Sequence, residues 1–149
     1  MYKRILVALD ASERDEVILQ HVGHLARADG AQVVLLRVAC YDARERDQMQ
    51  REITRATRAL RQAKEYLAEH FALEAEEVLM HGDPGETIAE ESLSRECDLI
   101  AMATHGHGAL YDFLLGSVAN QVRHRVEVPV LTIRVPKTSE KGRRRHEPE

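Results

Sequence analysis

The sequence predicts an α/β protein: an open parallel sheet with helices on both faces. Three observations lead there. Short, almost uninterrupted apolar runs recur along the chain, as in strands covered on both sides. Charged segments between them carry apolar residues at spacings of three and four, the period of a helix lying on a sheet. The two kinds of segment alternate strictly, which is the sequence form of repeated β–α–β units.

Each element can be justified in turn. "RILVAL" (4–9) is the first strand by length and branched residues. Ser12 is placed to cap the helix that follows, with Asp15 completing a capping-box variant. Val17, Val22, Leu25 and Ala26 are its expected buried stripe, and Gly30 its stop. "AQVVLLRVA" (31–39) is the second strand. A long helix is expected over about Arg44 to Phe71, with Met49, Ile53, Ala56, Leu60, Ala63 and Leu67 facing the sheet.

"AEEVLMHG" (75–82) is a weaker strand, expected at a sheet edge. "DPGET" (83–87) opens a helix with Asp83 as cap and Pro84 in the first position. Ile88, Ala89 and Leu93 should line that helix's inner face. "CDLIAMAT" (97–104) is the fourth strand, Ser117 to about Arg125 a short helix, and "VPVLTIRV" (128–135) the last strand. No internal repeat is visible. The domain therefore spans 1–136, and 137–149, which holds no aliphatic residue, is expected to be disordered.

Composition limits the function classes. A chain of 149 residues suits one domain. The net charge of −4 is uneven: 137–149 carries five Lys/Arg against three Glu, a surplus of +2, which leaves −6 on 1–136. An acidic body argues against nucleic acid as the main partner, although the basic "KGRRRH" (141–146) could touch RNA or an acidic protein. No apolar run approaches the roughly 20 residues that cross a bilayer, and the N-terminus lacks a signal-peptide core, so a cytoplasmic protein is expected. Cys40 and Cys97 fall at opposite ends of their strands, too far apart for a disulfide, and Cys40 is expected to be a small buried residue.

The chemistry gathers in "MATHGHGALYDFLLGSVANQ" (102–121). In open α/β sheets ligands sit beyond the carboxyl ends of the strands. There Asp10 ends the first strand, and this glycine-rich stretch leaves the fourth. Main-chain N–H groups of Gly116, Ser117 and Val118 at a helix start would suit an anion, with Ser117 adding a hydroxyl. A flexible connection and a turn-capping role for Asp10 are the plain alternatives. The segment has no lysine for a Walker loop, and Gly106-His107-Gly108 follows the fourth strand rather than the first, as a dinucleotide fingerprint would require. A His105/His107 metal site and a Ser117 nucleophile lack supporting patterns, so neither a metal site nor a catalytic residue is assigned.

Three stretches, "ILVALDAS" (5–12), "THGHGALYDFLLGSVANQV" (104–122) and "VPVLTIR" (128–134), together resemble the universal stress protein family over about residues 1–135. The long middle stretch resembles that family's Gly-x-x-Gly, nine-residue, Gly-Ser/Thr signature. The resemblance implies a Rossmann-like five-stranded sheet ordered 3-2-1-4-5, a homodimer, and membership of the ATP-binding subclass. By position, it places Leu9, Asp10 and Val38 at the adenine or ribose, with Met102 and Ala103 near the ribose. Gly106, His107, Gly116, Ser117 and Val118 would surround the phosphates, with Mg2+ or Mn2+ bridging them, and His105 is counted among the nucleotide-binding residues.

Two residues depart from the family pattern: Ala103 replaces the first signature glycine, and His107 stands where Arg or Lys is common. The implied function is an ATP-binding regulatory dimer of the stress response, whose nucleotide-ordered loop is read by an unknown partner protein. Self-pairing through Val128 to Val135 would cover an open sheet edge. Alternatives are a dimer that does not bind nucleotide, marked by Ala103, and a slow metal-dependent ATPase. Fast hydrolysis is not expected, because no residue in the loop is an obvious base for water and no arginine of 102–121 is available for the transferring charge.

Overall fold

The computed structural model describes residues 1–105 and 109–135. Five strands and four helices alternate: β1 (Arg4–Leu9), α1 (Arg14–Asp29), β2 (Gln32–Ala39), α2 (Arg46–Phe71), β3 (Ala75–His81), α3 (Pro84–Ser94), β4 (Leu99–His105), α4 (Ala109–Arg125) and β5 (Val130–Val135). The sheet is parallel throughout, in the order β3-β2-β1-β4-β5. β1 lies at its centre, with Ala8 level with Leu36 on one side and Met102 on the other.

Alternation along the strands builds two cores. Ile5, Val7 and Leu9 point to the layer of α1 and α2, where Ile18, Val22, Leu60 and Leu67 meet them. Leu6, Leu36 and Val38 point the other way, to Ile88, Ala119 and Val122 of α3 and α4. The near-continuous apolar strands are thus explained by burial on both faces.

Local signals set most joints. Gly30 takes the left-handed conformation that ends α1, at φ 66°, and its N–H reaches the Ala26 carbonyl. Asp83 accepts from the Glu86 N–H at 2.9 Å and Pro84 starts α3. Asp98 accepts from the Lys3 and Arg4 amides, so β4 begins at Leu99 rather than at Cys97. β5 begins after Pro129, which has no N–H to give a ladder.

Several expectations are corrected. The α1 stripe is Ile18, Leu19, Val22, Gly23 and Ala26, while Val17 and Leu25 are only half-buried. The helix is turned so that Gly23 meets Phe71 of α2. Leu93 is 80% exposed; Gly85, Ile88 and Ser92 hold the inner face of α3, with the Ser92 hydroxyl bonded to the Ala89 carbonyl. Cys40 is exposed just beyond β2, its Sγ 3.7 Å from the Gly82 carbonyl, whereas Cys97 is buried. Met49 and Ile53 in the first turns of α2 are half-buried, and full burial of its stripe starts at Ala56.

The largest correction concerns α4. It starts at Ala109 rather than Ser117. The run "ALYDFLL" is made largely of good helix formers, and one glycine inside a helix costs only about 1 kcal/mol, so Gly116 does not stop it. Segment 137–149, expected to be disordered, lies outside the described residues.

A Cβ at Gly23 would overlap the Phe71 ring. Gly23→Ala is therefore expected to destabilise the fold by about 1–3 kcal/mol in denaturant unfolding, the cost of overpacking a filled core. An unchanged midpoint would contradict this packing.

Candidate functional site

All five strands run the same way, so their carboxyl ends share one edge, and α1, α2, α3 and α4 all begin along it. A cleft of about 150 Å³ opens there between β1, β2 and β4. Leu9, Asp10, Val38, Met102, Ala103 and Val118 line it. Six of the residues marked by the sequence are thereby brought together from four elements and the β1–α1 corner. His105 ends β4, and Gly116 and Ser117 lie inside α4. Gly106 and His107 lie outside the described residues.

The corner after β1 is tied by side chains. The Asp15 carboxylate accepts from the Asp10 N–H at 3.1 Å and the Ala11 N–H at 3.0 Å. The Asp10 carboxylate accepts from the Ser12 N–H at 3.0 Å and also from the Ser12 hydroxyl. Arg14 stands 3.7 Å from Asp10, and its own N–H reaches the Ser12 hydroxyl at 3.2 Å. The expected capping box is thus displaced: Asp15 reaches back to residues 10 and 11, and α1 starts at Arg14. Asp10 both caps the turn and faces the cleft. Ala11 is held at φ 61°, a conformation that ordinary residues seldom adopt.

Burial, and then the Asp10 carboxylate beside it, push the Asp15 carboxyl up from 3.8 to about 7, against the pull of the two N–H donors. At neutral pH Asp15 therefore stands near its titration point.

Sequence reasoning missed five cleft residues, of which Ala8 and Leu36 stand beside strand residues it had marked. Pro84 and Ile88 reach it because α3 starts at the same edge; that was available from the topology. Arg37 also contributes. Its Nη1 donates to the Leu9 carbonyl at 3.4 Å, and its buried Nε has no partner among the described residues. A charged residue inside an apolar strand was the signal for it.

Ala103, which departs from the glycine pattern, pairs with Ile133 in the β4–β5 ladder and packs against the α1-side core. It is not among the positive-φ residues, so its backbone does not call for glycine. No group of three metal-ligating side chains occurs among the described residues. No described helix is long and apolar enough to cross a membrane.

An open parallel sheet of order 3-2-1-4-5 with a cleft at its carboxyl edge defines a doubly wound α/β protein. The model of the universal stress protein family matches residues 1–134, and the chain belongs to that family. A universal stress protein of Thermus aquaticus is 32% identical over 139 residues, spanning 90% of this chain and all of the relative. A solved universal stress protein of Methanocaldococcus jannaschii superposes with a TM-score of 0.75 at 29% identity, over 93% of this chain and 99% of its own. Another, from Archaeoglobus fulgidus and solved in complex with dAMP, gives 0.71 at 25% identity, over 89% and 98%.

The Asp15 shift has a consequence for stability. Its carboxyl is harder to ionise in the fold than in the unfolded chain, so the folded state loses ground as pH rises from about 4 to about 7. Below that window both states are protonated, and above it the cost is complete. Asp15→Asn should flatten the fall in unfolding free energy across that window, read from denaturant titrations at several pH values. A slope equal to that of the parent would contradict the assignment.

Proposed function

We propose that this protein is an adenine-nucleotide-binding regulator that works as a dimer. The observation that carries the reading is the cleft itself, where Asp10 is set among Leu9, Val38, Met102, Ala103 and Val118. A relative of the same fold was solved with dAMP, an adenine nucleotide.

The cleft's 150 Å³ is well below the roughly 300–1,000 Å³ of common ligand pockets, so it suits the base end of a nucleotide rather than the whole. The sugar and phosphates would extend toward 105–118. Phosphate binding by the amides of 116–118 requires those amides to be free, and inside α4 they serve carbonyls one turn back. We therefore assign the nucleotide a price to meet: the turns from Ala109 to Gly116 open, and the helix restarts near Ser117. A ligand that binds only the opened form shifts the population toward it. That change of surface is the signal for a partner protein. ATP with Mg2+ or Mn2+ is the ligand proposed.

The dimer follows from β5. It is the sheet's edge, and Val130, Leu131 and Ile133 are left half-buried in the single chain. Pairing with a second copy would satisfy both edges.

Calorimetric titration with ATP, AMP and GTP, with and without Mg2+, tests the reading. Saturable binding of an adenine nucleotide is expected, weakened at least tenfold by Asp10→Ala and by a bulky Val38→Trp. No heat with any adenine nucleotide, together with a nucleotide-free protein by mass spectrometry, would overturn it. Sedimentation at micromolar concentration should give a dimer, and a monomer there would contradict the edge pairing.

A further inference from the structure

We propose that Arg37 reads the base of the bound nucleotide, donating a hydrogen bond from Nε to a ring nitrogen of the purine. The inference rests on the adenine-nucleotide reading above and adds a recognition residue to it. Arg37 is the one charged residue of β2. Leu35, two residues earlier on the same face, lies in the α1–α2 core. Arg37 is level with Leu9, the last residue of β1, and on its other side with Leu79 of β3. The strand position therefore sets the stem between two leucines, and the head reaches the carboxyl edge of the sheet. There Nη1 donates to the Leu9 carbonyl at 3.4 Å.

Two observations point to a ligand. The first is the Nε atom, which is buried and has no hydrogen-bond partner among the described residues. Buried donors in folded proteins are nearly always paired, because an unmet one keeps the full cost of leaving water. An acceptor that arrives with a ligand removes that cost.

The second is the place. The cleft takes its lining from both faces of the sheet, Leu9 and Ala103 from the α1–α2 side, Val38 and Met102 from the other. Among the described residues that line it, Arg37 and Asp10 are the two that carry charge. The Asp10 carboxylate is engaged by the Ser12 N–H and hydroxyl, whereas Arg37 brings an unmet donor.

Position selects the base over the phosphates. Ala8 pairs with Met102, so one residue further on Arg37, Leu9 and Ala103 stand side by side across β2, β1 and β4. Adjacent strands are about 4.8 Å apart, which puts Arg37 roughly 10 Å from Ala103. α4 packs on β4 and β5, so Arg37 is on the side away from it. In the proposed binding mode the phosphates extend toward α4, and the opposite end of the nucleotide, the base, meets β2. A guanidinium donates and cannot accept, and the ring nitrogens at the edges of a purine are acceptors.

Calorimetric titration of the parent and of Arg37→Met tests the proposal, using ATP and its 1-deaza, 3-deaza and 7-deaza analogues, each with one ring nitrogen replaced by C–H. At least one analogue should bind the parent about tenfold more weakly than ATP. Arg37→Met should weaken ATP about tenfold and abolish that analogue's disadvantage, the coupling expected of two groups in contact. A disadvantage that comes from main-chain groups would persist in the variant. A second measurement needs no substitution: in nitrogen-15 NMR of the parent, the Arg37 Nε–H resonance should move downfield when ATP saturates the cleft. ATP bound with no analogue coupled to Arg37, or with the Nε–H resonance unmoved, would overturn this role and leave nucleotide binding standing. ATP that binds neither protein would overturn both.

Discussion

Every helix of this fold begins at the same edge of the sheet, and each start exposes main-chain N–H groups that need an acceptor. How those donors are satisfied decides what the edge can do. At α3 the answer is a side chain, with Asp83 accepting from Glu86. At the β1–α1 corner it is Asp15, reaching back to the amides of 10 and 11, with Asp10 and Ser12 closing the turn. At α4 it is the helix itself, which extends upstream to Ala109 and so engages the amides of 116–118 in its own ladder. This third solution is the one that the proposed nucleotide binding would have to reverse. A helix interrupted by glycine holds its first turns weakly, and an anion competes for the same donors.

The corner after β1 is the less forgiving part. It carries a non-glycine residue at positive φ and two carboxyl groups in contact, and burial and repulsion keep Asp15 near its titration point. Such an arrangement persists only where surrounding contacts over-determine it. Its partners are Asp10 on the cleft side and the α2 layer on the other.

Most of the architecture was legible in the sequence, for identifiable reasons. Apolar runs such as "RILVAL" and "AQVVLLRVA" are strands covered on both faces, and the Asp83-Pro84 and Gly30 signals are local and unambiguous. Of the cleft residues, Asp10 and Val118 were legible from the strand-end and helix positions of an open parallel sheet, whereas Leu9, Val38, Met102 and Ala103 came from the family resemblance. What was not legible depended on competition between comparable local terms. Gly-Ser at 116–117 looks like a helix start, yet the upstream run forms helix at little cost. Leu93 continued a plausible stripe, but Gly85, Ile88 and Ser92 make the better-fitting face. Arg37 and the displacement of Asp15 toward residues 10 and 11 belong to tertiary geometry, which spacing does not encode.

The central claim is that adenine nucleotide and the upstream turns of α4 compete for the amides of residues 116–118. Hydrogen exchange measured along α4 with and without saturating ATP and Mg2+ addresses it directly. Amides of 112–116 should lose protection when nucleotide binds, while those of 119–125 keep or gain it. Nucleotide binding that leaves the first turns of α4 equally protected would contradict the account.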